Sequence, residues 1–521
     1  MGGGMAGLYS ALLLQSLGVK VHIFEASSRL GGRIYTHRFT EQENQYFEAG
    51  AMRLPNRPEQ QPVFDLINYL NCKQRETKIE LMPYNLTCET GNLVYVNRQR
   101  LTVKQARGFP WALGFGENTP AEEYLEEAIA RFVVPFKESF EKGFANLMEY
   151  DDYSFYSYLS MKLGWPAHKI GYVETMMSQS NQFHASLTEL VIESMDFLNA
   201  DWKTIKNGMD HLPRVCAKLI GYGNITMGAK VQQVERQADG RIAIHHTAKS
   251  TPDVFDKVIV ALPPSALRMI KMPQFDWKKE WAIRAFHFEP LFKIGLRFKS
   301  RFWEDEEISL YPAKGGQSIT DLPSRWIVYP SYGIGEKQAG VLLLYSWMTD
   351  AYGWLPQSRD ERIRLALRDL QEVYGDKVDL RSEFMEAFDV AWSNEWPTGD
   401  AMFLPGQFKH LFNIARRPEG NIHFAGEHLS VHHTWIVGAI ESALNACQQI
   451  FNDPGLKPLR PEGALSSSGE GGEHVYDYSK LVEEAKRAYD ALRRGESHPQ
   501  LQQAMQKGSS QERFLLHLKQ W

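Results

Sequence analysis

Three glycines at the start of the chain have a spacing that suits phosphate binding. Gly2, Gly4 and Gly7 form a G-x-G-x-x-G pattern, in which the backbone can turn tightly and approach a pyrophosphate. Glu25 follows 18 residues after Gly7, near the separation at which a carboxylate reaches an adenosine ribose. Together these residues predict a dinucleotide site.

The elements around this motif are a helix and a strand. The apolar run 8–17 predicts a helix, and the run 19–24 predicts a short strand that ends at Glu25. A glycine motif of this kind normally follows a buried strand, but only Met1 precedes Gly2. We therefore expect the first strand to be missing, either because the true start lies upstream or because the chain begins at an internal methionine. The second case predicts weak retention of the cofactor.

Two further segments combine small residues with an arginine. In Gly31-Gly32-Arg33, backbone N–H groups and one guanidinium can hold a phosphate. In Gly50-Ala51-Met52-Arg53, small residues let the backbone approach a flat ligand, and Arg53 offers a planar fork for a carboxylate. Taken alone, Arg53 is more readily an ordinary surface arginine in a loop.

Two later segments could also carry chemistry. Lys293 lies in an apolar strand, 292–298, where a lysine usually faces solvent. The short strand 421–424 leads through Gly426-Glu427 and residues 434–436 to a helix at 437–451, and a helix N-terminus after a tight turn tolerates an anion. Histidines 428, 432 and 433 flank this turn without a metal-site spacing, so no metal is predicted.

The chain of 521 residues is long enough for two or three domains. The pattern predicts an α/β fold with a Rossmann-like dinucleotide-binding domain assembled from separated segments, a mixed-sheet substrate domain and an inserted helical domain. Gly91-Asn92 is expected to mark a hairpin turn in the substrate domain. The predicted bounds are 1–55, 205–270 and 410–452 for the first domain, 56–120 and 271–409 for the second, 121–204 for the third, and 453–521 for a linker and polar helical extension.

Composition excludes several classes of function. The net charge is −5 and no long basic run occurs, which argues against nucleic-acid binding. No apolar stretch is long enough to predict a membrane span. The four cysteines are scattered and are read as free thiols. The lack of a signal peptide favours the cytoplasm, although the abrupt start is consistent with a truncated N-terminus.

As an ensemble, these motifs resemble the flavin amine oxidases and, among them, the L-amino-acid oxidases. The resemblance rests on the N-terminal glycine motif, Glu25, Gly31 to Arg33, Gly50 to Arg53, and Phe424 to Glu427 with Trp435-Ile436. The blocks 208–210 and 320–325 are similar as well, and the likeness covers residues 1–452. It implies FAD-dependent conversion of L-amino acids and dioxygen to 2-oxo acids, ammonia and hydrogen peroxide. Whether the enzyme is a homodimer is left open.

The resemblance implies FAD contacts along much of the chain, and the absence of a cysteine at the position of covalent flavin attachment implies non-covalent binding. The implied cofactor residues are Gly2, Gly4, Met5, Ala6, Gly7, Glu25, Ala26, Arg33, Gly50, Ala51, Met52, Arg53, Val231, Glu427, Thr434, Trp435, Ile436, Val437, Gly438 and Ala439.

The resemblance also assigns roles around the substrate. Lys293 matches the lysine that holds a water at flavin N5, and Arg53 with Tyr345 matches a clamp for the substrate carboxylate. Trp435, with Trp396 opposite, matches an aromatic wall, and Thr434 lies in the adjoining turn.

The chain departs from the family pattern at a few positions. Thr434 stands where the family often has glycine, Val437 stands where it often has an acid, and no histidine occurs between residues 193 and 208, where some members carry one. Three alternatives remain open: an amino-acid monooxygenase that forms an amide, an oxidase of another amine, and a non-catalytic relic with an incomplete FAD site.

Overall fold

The structure is a computed structural model that describes residues 1–74, 76–198, 200–309, 311–393 and 399–452. The predicted extension at 453–521 and Trp396 lie outside these ranges. The α-helices are α1 (Met5–Ser16), α2 (Gln61–Lys73), α3 (Val103–Gly108), α4 (Ala121–Phe136), α5 (Phe140–Met148), α6 (Phe155–Met161), α7 (Ala167–Met177), α8 (Leu187–Phe197), α9 (His211–Ile220), α10 (Pro264–Leu267), α11 (Trp277–Ala285), α12 (Thr349–Tyr352), α13 (Arg359–Tyr374), α14 (Leu380–Glu383), α15 (Asn413–Arg416) and α16 (Ile436–Phe451).

The strands are mostly short. They are β1 (Ile23–Phe24), β2 (Thr36–Arg38), β3 (Tyr46–Glu48), β4 (Leu54–Asn56), β5 (Leu81–Pro83), β6 (Leu93–Val96), β7 (Gln99–Thr102), β8 (Asp201–Ile205), β9 (Ile225–Thr226), β10 (Val231–Arg236), β11 (Ile242–His246), β12 (Lys249–Phe255), β13 (Val258–Val260), β14 (Phe288–Glu289), β15 (Leu291–Phe298), β16 (Gln317–Thr320), β17 (Trp326–Val328), β18 (Gly340–Trp347), β19 (Phe384–Ala391), β20 (Asp400–Ala401) and β21 (Ile422–Phe424).

A parallel layer is assembled from distant segments of the chain. Strand β1 pairs with β9, and β13 pairs with β21, each in parallel. The first residues join the two pairs, because the Gly2 N–H donates to the Phe24 carbonyl at 2.9 Å and the Ala261 N–H donates to the Met1 carbonyl at 2.9 Å. Met1 and Gly2 thus lie between the two strand pairs of the parallel layer, where the strand before the glycine motif is expected.

The third glycine of the motif allows helix α1 to start close against this layer. A Cβ atom on Gly7 would lie 2.0 Å from the Gly2 carbonyl oxygen, and Gly2 itself has a φ of +99°. Neither position tolerates a side chain without movement of the backbone. Beyond the motif, the buried Leu8, Leu12 and Leu13 pack α1 into a core that includes residues of α9 and α16.

A seven-stranded mixed sheet forms the second layer, in the order β19-β15-β18-β17-β16-β6-β7. Its neighbours are antiparallel except for β16 and β6. Every residue of β15 and of β18 is buried, since both faces of these central strands are covered. Lys293, in β15, is therefore 3% exposed rather than facing solvent as an isolated strand lysine would.

Two local expectations differ from the structure. The hairpin turn of the substrate region joins β6 to β7 at Asn97 and Arg98, whose φ values are 53° and 61°, whereas Gly91-Asn92 precedes β6. The positive φ values fit a two-residue hairpin turn. Asn is common in such turns, but Arg is not, so the pair Asn97-Arg98 does not predict a turn from sequence. The structure also adds β12, which pairs antiparallel with β11 and which the sequence reading did not include.

Helices α4 to α8 form the helical region between β7 and β8. Their buried aromatic residues Phe132, Phe155 and Tyr158 pack in one cluster that also includes residues of the mixed sheet. The predicted α/β fold class, with helical and mixed-sheet regions between separated segments of the parallel layer, is confirmed, whereas the domain bounds remain a prediction. None of the helices in the described residues combines the length and apolar character needed to cross a membrane.

Candidate active site

One cavity of about 350 Å³ lies where the parallel layer, the mixed sheet and α8 meet. Most residues predicted for the site line it, although they come from distant parts of the sequence. The predicted residues in its wall are Gly2, Gly4, Met5, Ala6, Glu25, Ala26, Arg33, Gly50, Ala51, Met52, Arg53, Lys293, Tyr345, Glu427, Thr434, Trp435, Ile436 and Ala439.

Four predicted cofactor residues do not line this cavity. Gly7 packs beneath Gly2, and a Cβ on Gly438 would lie 2.1 Å from the His432 carbonyl oxygen, so both glycines allow close packing. Val437 is buried in the core around α1. Val231 begins β10 and packs in a separate apolar cluster with residues of β11 and β13.

The start of α1 offers backbone donors to the cavity. Helix α1 begins after Gly4 without a side-chain cap, and its first residues, Met5 and Ala6, line the cavity. A Cβ on Gly4 would find its nearest atom at 3.8 Å, so there is room beside this helix N-terminus. The Glu25 carboxylate accepts hydrogen bonds from the N–H of Gly3 at 2.7 Å and of Ser27 at 2.8 Å. Uncapped N–H groups beside open space suit the pyrophosphate of a dinucleotide.

A buried charge network lies at the wall of the cavity. The Arg33 guanidinium lies 2.7 Å from Glu427 Oε1 and 3.4 Å from Asp400 Oδ1. Burial would raise the pKa of Glu427, but the charges of Arg33, His433 and His428 and a hydrogen bond from Arg33 together lower it. Burial raises the pKa of Asp400 to about 6, against the opposing effect of Arg33. Arg33 is thus the shared cationic partner of Glu427 and Asp400.

A second helix N-terminus faces the cavity at α16. Its first residue is preceded by Trp435, which provides no side-chain cap. The N–H of Thr434 donates to Glu427 Oε2 at 3.1 Å, so Glu427 links this turn to Arg33. Thr434 has a φ of +66°, a left-handed conformation that is unfavourable for a β-branched residue. The partial positive charge of this helix N-terminus would stabilise negative charge on a bound ring system.

Lys293 and Tyr345 lie opposite each other on adjacent strands of the mixed sheet. The Lys293 ammonium donates to the Gly50 carbonyl at 2.6 Å, and burial, aided by the nearby charge of Arg53, lowers its pKa to about 7. Burial keeps the pKa of Tyr345 far above its ordinary value, so its hydroxyl stays protonated. The pair therefore offers one group that can exchange a proton near neutral pH and one stable hydrogen-bond donor.

Aromatic rings surround Arg53. Its guanidinium carbon lies 5.2 Å from the centre of the Phe197 ring and 5.4 Å from that of Trp202, and Trp202 lies 5.8 Å from Trp435. One guanidinium nitrogen donates to Gln317 Oε1 at 3.2 Å. Arg53 is 8% exposed, and in the described part of the chain it forms no ion pair. A buried cation without an anionic partner is costly unless a ligand supplies one.

The cavity wall also contains residues that the sequence reading did not select. They come from elements that meet only in the folded chain, and no local motif marks them. These residues are Ser27, Arg29, Glu193, Phe197, Trp326, Trp347, Trp392, Asp400 and His428. Within the described ranges, the structure shows no group of histidine, cysteine and acidic residues arranged to hold a metal ion.

The arrangement suits a long cofactor and a small substrate. Two uncapped helix N-termini, Glu25 and Arg33 line this cavity and offer groups of the kind that hold a dinucleotide. The wall also carries Lys293, Tyr345 and Arg53 among aromatic rings, where a small molecule with an anionic group would fit.

Comparison with known proteins places the chain in a family. It is 33% identical to a provisionally named bifunctional amine oxidase of Dictyostelium discoideum, over 89% of this chain and 47% of that one, and so spans about half of that relative. It is 30% identical to L-amino-acid oxidase 4 of Hebeloma cylindrosporum, over 94% of this chain and 89% of that one. Among solved structures, the cyclohexylamine oxidase of Brevibacterium oxydans shares the fold, with a TM-score of 0.65, 16% identity, and coverage of 86% of this chain and 97% of that one.

A family model described as flavin-containing amine oxidoreductase matches residues 5–451. The match confirms the resemblance seen in the sequence and the prediction of a flavin cofactor. The chain therefore belongs to the flavin-containing amine oxidoreductase family.

Proposed function

We propose that the chain is an L-amino-acid oxidase with non-covalently bound FAD. It would convert an L-amino acid, dioxygen and water to a 2-oxo acid, ammonia and hydrogen peroxide. The observation that carries the proposal is Arg53, a buried guanidinium at the cavity wall that forms no ion pair within the described residues. A substrate carboxylate would supply the missing anion, whereas a simple amine would not.

Other residues fit the same assignment. The Tyr345 hydroxyl would donate a second hydrogen bond to the carboxylate, and the rings of Phe197 and Trp435 would pack against the substrate. Contacts to the carboxylate and to the side chain, with the α-hydrogen directed at the cofactor, would hold the substrate at three points and would account for selection of one enantiomer. The Hebeloma relative, named an L-amino-acid oxidase, agrees with this substrate class.

The cofactor residues have a separate task. Bound FAD supplies the acceptor for the two electrons and the hydrogen removed from the α-carbon. The α1 N-terminus, Glu25 and Arg33 would hold its phosphates and ribose, and Glu427 would fix the turn before α16. Lys293 would hold a water beside Gly50 and move a proton there, which its pKa of about 7 permits.

Product analysis tests this function. Purified holoenzyme and an L-amino acid should give equal amounts of 2-oxo acid, ammonia and hydrogen peroxide. Formation of an amide and carbon dioxide would instead identify a monooxygenase, and a protein that remains colourless under an adequate supply of flavin would be a non-catalytic relic.

A further inference from the structure

Glu193 is an acid in the cavity wall that has no cationic partner among the described residues. It lies on α8, one helical turn before Phe197, and both side chains line the cavity. Gln182 donates a hydrogen bond to one of its carboxylate oxygens. The comparable acids of the cavity region differ in this respect, since Glu427 and Asp400 pair with Arg33.

The surroundings of Glu193 favour the arrival of a cation. Burial, together with Glu189, Asp196 and Asp400, raises the pKa of Glu193 to about 8. Glu189 is itself paired with His433 at 2.8 Å, whereas Glu193 has only the neutral amide of Gln182. A ligand with a positive charge would relieve the repulsion among these acids and stabilise the ionised form of Glu193.

Phe197 lies close to both Arg53 and Glu193, two side chains of the cavity wall that form no ion pair among the described residues. Arg53 lies 5.2 Å from the Phe197 ring, and Glu193 precedes Phe197 by one turn of α8, a rise of about 6 Å. Phe197 is in turn 6.0 Å from Trp435. A ligand that satisfies both charges needs a carboxylate at one end, a cation at the other, and an apolar stem between them.

We propose that Glu193 selects L-amino acids whose side chain ends in an ammonium or guanidinium group. This inference rests on the proposed function, because it assigns the substrate carboxylate to Arg53. Methylene groups of such a side chain would pack against Phe197, and the terminal cation would pair with Glu193. The chain would then be an oxidase of basic L-amino acids.

The test compares Glu193→Gln with the wild-type enzyme on matched substrates. Glutamine keeps the size of the side chain and removes its charge. We expect kcat/KM for L-lysine and L-arginine to fall roughly 30-fold or more, the scale at which loss of one member of a buried charge pair weakens binding. The value for L-norleucine, which has a similar stem without the cation, should change less than about threefold. Glu126→Gln, which neutralises an exposed acid on α4, is the control and should change neither value.

An equilibrium measurement separates the side-chain cation from the α-amino group. ε-Aminocaproate has the carboxylate and terminal ammonium of lysine but no α-amino group, and caproate lacks both nitrogen atoms. We expect ε-aminocaproate to bind the wild-type holoenzyme more tightly than caproate, and Glu193→Gln to abolish the difference. The variant could change L-lysine and L-norleucine oxidation equally, or leave the preference for ε-aminocaproate intact. Either result would show that Glu193 does not bind the terminal cation of the substrate side chain, and the inference would be wrong.

The outcomes for the two proposals are distinct. A wild-type enzyme that oxidises L-norleucine at least as well as L-lysine and L-arginine overturns the inference and leaves the L-amino-acid oxidase proposal standing. A wild-type enzyme that oxidises only amines without a carboxylate overturns both.

Discussion

Lys293 and Tyr345 are directly opposite each other on β15 and β18, and the Lys293 amine nitrogen lies 4.6 Å from the centre of the Tyr345 ring. Side chains directly opposite on antiparallel strands project from the same face of a sheet. The two fully buried strands β15 and β18 therefore place Lys293 and Tyr345 on the same wall of the cavity. Because Lys293 is buried there, its proton equilibrium is coupled to the stability of the fold.

Replacement of Lys293 by methionine should change how stability depends on pH. Burial lowers the Lys293 pKa from 10.5 to about 7, so between these values the unfolded chain binds a proton that the folded chain does not. The free energy of unfolding of the wild type should therefore rise with pH relative to Lys293→Met, by on the order of 2 kcal/mol between about pH 7.5 and 9.5. Paired unfolding measurements across this range test the coupling, and a constant difference between the two proteins would show that Lys293 is not buried as a titrating group.

Replacement of Arg53 by alanine should weaken amino-acid oxidation specifically. The variant removes the guanidinium that we assign to the substrate carboxylate, and KM for L-amino acids should rise by roughly 30-fold or more. The FAD content and the melting temperature of the variant serve as the control, and neither should fall. Loss of FAD or of thermal stability in parallel with the loss of activity would mean that Arg53 maintains the cavity and does not bind the carboxylate.

The ion pairs of Arg33 predict a coupled effect of two substitutions. Arg33→Ala leaves the buried acids Glu427 and Asp400 without their shared cation, which should cost about 3 kcal/mol of stability and weaken FAD retention. Asp400→Asn removes one of these acids, so the double variant should recover part of the lost stability. Thermal unfolding of the wild type, both single variants and the double variant gives the coupling energy. Strictly additive changes in the free energy of unfolding would show that Arg33 and Asp400 do not interact.

The turn at Thr434 predicts a gain in stability from glycine. A residue with a Cβ atom is strained at a φ of +66°, and glycine is not. We expect Thr434→Gly to be more stable than Thr434→Ala by about 1 kcal/mol, since both variants lack the hydroxyl and only alanine retains the Cβ. Chemical unfolding of the two variants provides the comparison. A more stable alanine variant would exclude strain at this turn.

Local patterns predicted the parts of the site that are local in sequence. The spacing of Gly2, Gly4 and Gly7, with Glu25 at the end of the next strand, is set by how one turn and one helix approach a dinucleotide, so a short segment suffices to recognise it. Arg53 and Lys293 were more uncertain from their local sequences, because an arginine in a loop and a lysine in a strand are usually exposed. The roles of both residues are implied by the resemblance to a family, and the structure adds that both side chains are buried.

The residues that sequence reading missed depend on long-range packing. Glu193 and Phe197 line the cavity only because α8 packs beside the mixed sheet, and Asp400 does so because β20 comes close to Arg33. The hydrophobic periodicity of a helix does not predict which of its residues will line a cavity formed by other segments. Val231, which the resemblance assigns to the cofactor, has its side chain in a neighbouring apolar cluster, and its cofactor role stays a prediction.

Anaerobic reduction of the bound flavin tests the central claim most directly. The holoenzyme is mixed without oxygen with an L-amino acid, with its D-enantiomer, and with the amine formed by its decarboxylation, and the visible flavin absorbance is followed. The account predicts rapid and complete bleaching by the L-amino acid and slow or no bleaching by the other two. Bleaching by the amine as fast as by the L-amino acid would contradict the assignment of an L-amino-acid oxidase.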